Sequence, residues 1–144
     1  MKTVLFLCTG NYYRSRLAEI YFNHLAQERQ APWQATSRGL RITPSNVGPL
    51  SAHTRAWLAD KGINPNEPHR MPIPVLEADF WSADHIVAVK EAEHRSMMDE
   101  CFPHFADRVE YWHVHDIDAA LPEQAIPGLV TLVEDLFNRL TKAA

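Results

Sequence analysis

The hydrophobic positions of this chain fall into short unbroken runs and into stretches with helical spacing. Residues 3–8 form a continuous apolar run that ends before Gly10 and Asn11, a pattern typical of a strand buried on both faces of a parallel sheet. From Ser15 onwards the apolar residues recur with the spacing of one helix face. These residues are Leu17, Ile20, Tyr21 and Leu25. The chain is therefore predicted to open with a strand, a tight loop and a helix.

The rest of the chain repeats this alternation. Further strands are predicted at residues 33–36, 86–89 and 109–114, and further helices at 91–101 and from about 127 onwards. Ser51 and Gly62 have the residue types expected at the start and end of another helix, and the proline-rich residues 64–74 predict an extended loop. Strands that alternate with helices predict an α/β fold, with an open parallel sheet between two layers of helices. We expect one domain over residues 1–144.

Composition excludes some classes of function. The net charge of −4 argues against nucleic acid as a partner. No apolar run approaches the roughly 20 residues that span a bilayer, and the start of the chain lacks a secretory signal. We therefore predict a cytoplasmic protein that binds neither nucleic acid nor membrane. The cysteines, Cys8 and Cys101, are far apart in sequence and are expected to remain thiols.

Residues 8–15, Cys-Thr-Gly-Asn-Tyr-Tyr-Arg-Ser, join the end of the first strand to the start of a helix. Such a loop directs several backbone N–H groups at one point, where the helix dipole adds positive charge, so it suits a phosphate. Gly10 and Asn11 tolerate the backbone conformations that the turn needs. Arg14 is placed to hold two phosphate oxygens with its planar guanidinium.

The same positive environment favours the thiolate form of Cys8, which makes this cysteine a candidate nucleophile. Ser15 is predicted to donate a hydrogen bond to the sulfur. The alternative is that Cys8 is a buried structural cysteine. Together, the loop residues are predicted to form a phosphate-binding site. They are Thr9, Gly10, Asn11, Tyr12, Tyr13 and Ser15, beside Cys8 and Arg14.

The motif Cys-x-Gly-Asn-x-x-Arg-Ser near the N-terminus resembles the signature of the low-molecular-weight protein tyrosine phosphatases and of related arsenate reductases. Ser37-x-Gly39 after the second strand also fits this family. The resemblance implies a three-layer sandwich whose four parallel strands lie in the order 2-1-3-4, with no metal or other cofactor. It also implies that Ser37 supports the loop asparagine from behind.

Cleaving a phosphate ester requires a proton for the leaving oxygen. The family supplies it from an aspartate, usually followed by proline, after the fourth strand. Asp116 occupies that position here, with Ile117 in place of the proline, and Asp118 is the alternative acid. His113 and His115 lie nearby, but with one carboxylate they make a weak case for a metal site.

Tyr13 stands where the family often has a second cysteine, so the disulfide that can protect the nucleophile from overoxidation cannot form. The tyrosines that often follow the acid and form an aromatic wall for the substrate are also absent. Tyr12 and Trp81 are candidates to replace that aromatic wall. We predict a phosphatase acting on a phosphorylated protein that carries phosphotyrosine, or on a small phosphomonoester, with phosphate or sulfate binding at the same site. The alternatives are a phosphate- or phosphoprotein-binding module with impaired catalysis and an arsenate reductase.

Overall fold

Strand β1 lies inside the sheet, and its last residue, Cys8, is the candidate nucleophile. The structure is a computed structural model that describes residues 1–116 and 121–142. Its four strands are parallel and lie in the order β2-β1-β3-β4, which confirms the predicted fold class and strand order. The strands are β1 (Lys2–Cys8), β2 (Trp33–Gly39), β3 (His85–Ala88) and β4 (Glu110–Tyr111). The helices are α1 (Arg14–Glu28), α2 (Ala52–Lys61), α3 (Glu77–Ser82), α4 (Glu91–Cys101) and α5 (Pro122–Lys142).

Alternate side chains of β1 face the two helical layers, as the pleat of a strand requires. Phe6 points to the layer of α1 and α5, where the Phe22 ring stands edge-on to Phe137 with 5.4 Å between centroids. Leu5 and Leu7 pack on the other face with residues of α3 and α4. Because both faces are covered, β1 carries an unbroken apolar run, and its C-terminal end is fixed in position.

Helix α5 covers one face of the sheet. Leu129, Val133 and Leu136 recur along its buried side, as the apolar stripe predicts. The predicted start near Pro127 is wrong, because the helix begins at Pro122 and Pro127 lies inside it. Proline is favoured in a first turn, and here Pro122 is the proline at that position. No helix in the described part of the chain is long and apolar enough to cross a membrane.

Other elements also differ from the sequence prediction. Strand β4 pairs with β3 only through Glu110–Tyr111, and beyond it His113 forms an isolated antiparallel bridge to Lys90. Helix α3 was not predicted because its six residues are too few for a periodic pattern. Strand β2 extends to Gly39, which lies beside Cys8 in the register of the sheet.

Helix α2 has the caps that its sequence predicts. The Ser51 hydroxyl accepts a hydrogen bond from the Thr54 backbone N–H at 3.1 Å, and Gly62 ends the helix with a left-handed φ of 68°. The Ser51 backbone N–H donates to the carbonyl of Tyr12 at 3.0 Å. The start of α2 is therefore joined directly to the loop that follows β1.

Replacing the N-cap serine should destabilise the start of α2. We expect Ser51→Ala to lower the free energy of unfolding by about 1 kcal/mol, because the Thr54 N–H loses its acceptor. Urea denaturation measures the change, and Ser82→Ala at the exposed end of α3 is the matched control. Equal losses in the two variants would contradict the prediction.

Candidate active site

Cys8 is the last residue of β1 and lies on the floor of a small cavity. Its exposed fraction is 2%, and the cavity has a volume of about 130 Å³. Helix α1 begins only six residues later, at Arg14, so the intervening loop wraps around the cavity. The residues that line it are Cys8, Gly10, Tyr12, Tyr13, Arg14, Asn46, Ser51, His53 and Asp116. The fold thus brings the candidate nucleophile, arginine and acid to one place.

The sulfur of Cys8 has hydrogen-bond donors within reach. Ser15 Oγ lies 2.9 Å from Sγ, and the Asn11 backbone N–H donates to Sγ over 3.2 Å. Helix α1 has no acidic residue in its first turn, so no side chain of that turn offsets the positive end of its dipole. These groups stabilise an anionic sulfur more than a neutral one.

Asn11 uses the whole hydrogen-bonding capacity of its side-chain amide. Its Nδ2 donates to Ser15 Oγ and to Ser37 Oγ, both at 2.9 Å. Its Oδ1 accepts from Arg70 Nη1 and from the Ile73 backbone N–H, both at 3.0 Å. The residue is fully buried and has a left-handed φ of 51°. Its side chain therefore braces the loop from behind instead of lining the cavity.

Ser37 stands behind the loop and continues this network. Besides accepting from Asn11, its hydroxyl accepts from Arg70 Nη2 at 2.8 Å and donates to Glu19 Oε1 at 2.7 Å. Arg70 also pairs with Glu19 at 2.8 Å. Sequence reasoning missed Glu19 and Arg70, because nothing in the loop motif indicates which distant residues support it.

Arg14 is 2% exposed and held at several points. Its Nη1 donates to the carbonyl of Val114 at 3.0 Å, and its Nη2 donates to Glu93 at 2.9 Å and to Asp116 at 3.4 Å. Burial alone would lower the pKa of Arg14, but the charges of Cys8, Asp116 and Glu93 outweigh it and raise the pKa. Arg14 therefore remains a cation aimed at the cavity.

Glu93 and His94, in the first turn of α4, hold the opposite side of the loop. The Lys90 backbone N–H donates to His94 Nδ1 at 3.1 Å, which leaves the proton of a neutral ring on Nε2. Nε2 lies 3.0 Å from both Glu93 Oε2 and Thr9 Oγ1, and the Thr9 hydroxyl donates to the same Glu93 oxygen. The Thr9 side chain therefore binds Glu93 and His94, and Thr9 is not among the residues that line the cavity.

These contacts shift two pKa values. The hydrogen bond from His94, with those from Thr9 and Arg14, holds the pKa of Glu93 far below its usual range despite burial. Burial lowers the pKa of His94, and the nearby Arg14 charge adds to that effect, although the bond to Glu93 opposes it. The pair is thus an ionised carboxylate beside a neutral imidazole. Sequence reasoning missed both residues, although a histidine four residues before Met98 on the buried side of α4 was an available signal.

The remaining candidates lie as follows. Asp116 is partly exposed at the cavity, and Asp118 lies outside the described residues. Trp81 packs on Phe105 with 5.0 Å between ring centroids and does not line the cavity, whereas Tyr12 does. The Tyr12 hydroxyl donates to a backbone carbonyl, that of Val47, so its ring is fixed at the cavity mouth.

Removal of the Asn11 amide should be costly for stability. We expect Asn11→Ala to lower the free energy of unfolding by about 2 to 3 kcal/mol. The substitution leaves the buried hydrogen-bond partners of the amide unpaired, and alanine disfavours the left-handed φ of this position. Urea denaturation tests this, with the exposed Asn64→Ala as control. A loss no larger than that of Asn64→Ala would contradict the bracing role.

The buried imidazole predicts a pH dependence. Folded His94 has a pKa below the usual 6.5, so as the pH falls through about 6.5 the unfolded chain binds more protons and stability decreases. Glutamine has both a hydrogen-bond donor and an acceptor in its side chain but does not titrate in this range. We therefore expect the wild type to lose more unfolding free energy between pH 7 and pH 5 than His94→Gln does, as measured by urea denaturation at both values. Identical losses would show that His94 is not responsible.

Comparison with known proteins agrees with this geometry. The curated protein-arginine-phosphatase of Bacillus subtilis (strain 168) is 28% identical over 106 residues, which cover 74% of this chain and 67% of that protein. The crystal structure of YfkJ from Bacillus subtilis has a TM-score of 0.85 and 23% identity, covering 99% of this chain and 96% of YfkJ. A YwlE arginine phosphatase variant with a phosphorylated active-site serine in place of cysteine has a TM-score of 0.75 and 22% identity, covering 98% and 94%.

The comparison with family models decides the assignment. The model described as low molecular weight phosphotyrosine protein phosphatase matches residues 3–141. That match includes β2 to β4 and α1 to α4 in full, and all but one residue of β1 and of α5. The chain therefore belongs to the low molecular weight phosphotyrosine protein phosphatase family, and it is a phosphatase enzyme built around a cysteine.

Proposed function

We propose that this chain hydrolyses protein phosphotyrosine and related phosphomonoesters through a phosphocysteine intermediate. The observation that carries the proposal is the position of the Cys8 sulfur. It lies between the Ser15 hydroxyl and the Asn11 N–H, on the floor of a cavity that also contains Arg14 and Asp116. A nucleophile, a cation for the phosphoryl oxygens and a proton donor are the groups that this reaction needs.

In the first step, Cys8 Sγ attacks phosphorus as the bond from phosphorus to the leaving oxygen breaks. Arg14 and the loop N–H groups stabilise the equatorial oxygens of the transition state. Asp116, in its protonated form, transfers a proton to the leaving oxygen. The products are a free alcohol or phenol and a phosphorylated Cys8.

In the second step, water attacks phosphorus and Asp116 accepts its proton. Phosphate is released, and the sulfur leaves as a thiolate stabilised by the Ser15 hydroxyl. The phosphorylated serine in the YwlE variant supports a covalent intermediate of this kind, because it shows that the corresponding position of that protein accepts a phosphoryl group. Neither step needs a metal ion, since Arg14 supplies the positive charge.

Phosphoarginine is the second candidate substrate. The curated relative of this chain is a protein-arginine-phosphatase. The cavity supports the same substrate, since the Asp116 carboxylate lines it and favours a cationic leaving group. In favour of phosphotyrosine, Tyr12 and Tyr13 provide aromatic walls.

The other two alternatives have less support. An arsenate reductase needs further thiols to resolve its adduct, and Cys101, the second cysteine of the chain, is exposed at the end of α4 and does not line the cavity. A binding module without catalysis was suggested by Ile117, where the family usually has proline. Membership of a phosphatase family and the presence of Asp116 at the cavity favour the enzyme.

Steady-state hydrolysis of p-nitrophenyl phosphate tests the mechanism. We expect no measurable turnover by Cys8→Ser, and kcat reduced by about 10² to 10³-fold in Asp116→Asn, because that variant lacks the proton donor. Asp118→Asn is the matched control and should keep kcat near the wild-type value. Full activity of Cys8→Ser would refute the proposal, and a loss confined to Asp118→Asn would reassign the acid.

Two peptides of the same sequence, one carrying phosphotyrosine and the other phosphoarginine, distinguish the two candidate substrates. The kcat/KM ratio of the two measures the preference directly. A larger value for phosphotyrosine supports the proposal, and a larger value for phosphoarginine transfers it to the second candidate. The hydrolytic mechanism is tested separately by the variants above.

A further inference from the structure

His53 lines the active-site cavity but has no part in the two chemical steps proposed above. It lies in the first turn of α2 and is exposed, whereas Cys8 and Tyr13, which line the same cavity, are buried. His53 therefore lies at the rim, and Cys8 lies at the floor. Because the phosphoryl group is assigned to the floor, the organic part of a substrate must leave the cavity past this rim.

The start of α2 is attached to the catalytic loop on both sides of His53 in the sequence. The Ser51 backbone N–H donates to the Tyr12 carbonyl at 3.0 Å, and Thr54 Oγ1 donates to the Tyr13 carbonyl at 3.3 Å. Ser51 and Thr54 are both buried, so these bonds are shielded from water. The backbone of His53 is thus fixed relative to the loop, which reduces the entropic cost of a contact with a ligand.

The His53 ring belongs to a group of flat side chains at the cavity. It stands edge-on to the Tyr13 ring, with 6.0 Å between centroids and 61° between the ring planes. Tyr12 lines the same cavity, and its hydroxyl is bound to the Val47 carbonyl. Flat rings that are held in place suit an aromatic ligand, which packs against them edge-on or with an offset.

We propose that His53 is a specificity-determining residue that packs, together with Tyr12, against an aromatic leaving group of the substrate. It takes the place in the aromatic wall for which Trp81 was a candidate from the sequence. This inference rests on the proposed function, because it requires the phosphoryl group to bind beside Cys8. Helix α2 then recognises the leaving group, although it supplies no group to either chemical step.

Two phosphonates that differ only in their organic part test this contact. Benzylphosphonate has an aromatic ring and methylphosphonate does not, and neither has an ester bond to hydrolyse. Their affinities are measured by titration calorimetry on the full chain, so the measurement does not require turnover. The proteins compared are the wild type, His53→Ala, His53→Phe and His104→Ala. His104 is the matched control, because it is exposed and is not among the residues that line the cavity.

We expect His53→Ala to weaken the affinity for benzylphosphonate about fivefold, the size of one aromatic contact. Its affinity for methylphosphonate should not change, since that ligand does not reach the rim. His53→Phe keeps a flat ring and should bind benzylphosphonate as the wild type does, and so should His104→Ala. With p-nitrophenyl phosphate, His53→Ala should raise KM and leave kcat unchanged, because the contact is the same in the ground state and the transition state.

Three results would overturn this proposal alone. The first is an affinity for benzylphosphonate that His53→Ala leaves unchanged. The second is an equal loss of affinity for both phosphonates in His53→Ala, because this would mean that the phosphoryl site itself is disturbed. The third is a loss in His53→Phe as large as that in His53→Ala, since packing of a ring would then not be the cause.

Failure of the proposed function gives different results. A wild type that binds neither phosphonate would overturn both proposals. Full hydrolysis of p-nitrophenyl phosphate by Cys8→Ser, with wild-type affinity for the phosphonates, would overturn the mechanism and leave the calorimetric comparison of the His53 variants to decide the contact.

Discussion

The rest of the active site depends on the hydrogen bonds of Asn11. Its backbone N–H donates to the Cys8 sulfur, and its side chain makes four hydrogen bonds while the backbone holds a left-handed φ of 51°. Aspartate could not replace it because it lacks the donors, and glycine could not because it lacks the side chain. The shape of the loop and the environment of the nucleophile thus have a common origin.

The opposite side of the site is organised by charge. Glu93 receives hydrogen bonds from Arg14, Thr9 and His94, and so joins the loop to α4. Arg14 also contacts Asp116, but at 3.4 Å instead of 2.9 Å. The carboxylate with the longer contact to Arg14 is therefore the one that the proposed mechanism requires to act on the substrate, while Glu93 keeps the guanidinium in place.

The sequence was sufficient to predict the fold class, the strand order and the convergence of Cys8, Arg14 and Asp116. It succeeded because the apolar run of β1 and the loop motif are local patterns, and the order of strands came from the family resemblance. Support for the loop could not be predicted in the same way. Arg70 lies 59 residues from Asn11, and the partners of Glu93 become apparent only when α4 packs beside the loop.

The two cysteines have opposite surroundings, with Cys8 buried below the cavity and Cys101 exposed at the end of α4. A thiolate stabilised for attack on phosphorus is also easily oxidised to a sulfenic acid, and rescue then needs a second thiol. Tyr13 occupies the loop position from which a cysteine could have provided one. With Cys8 in the role proposed for it, reduction of its sulfenic acid would depend on a thiol supplied from solution.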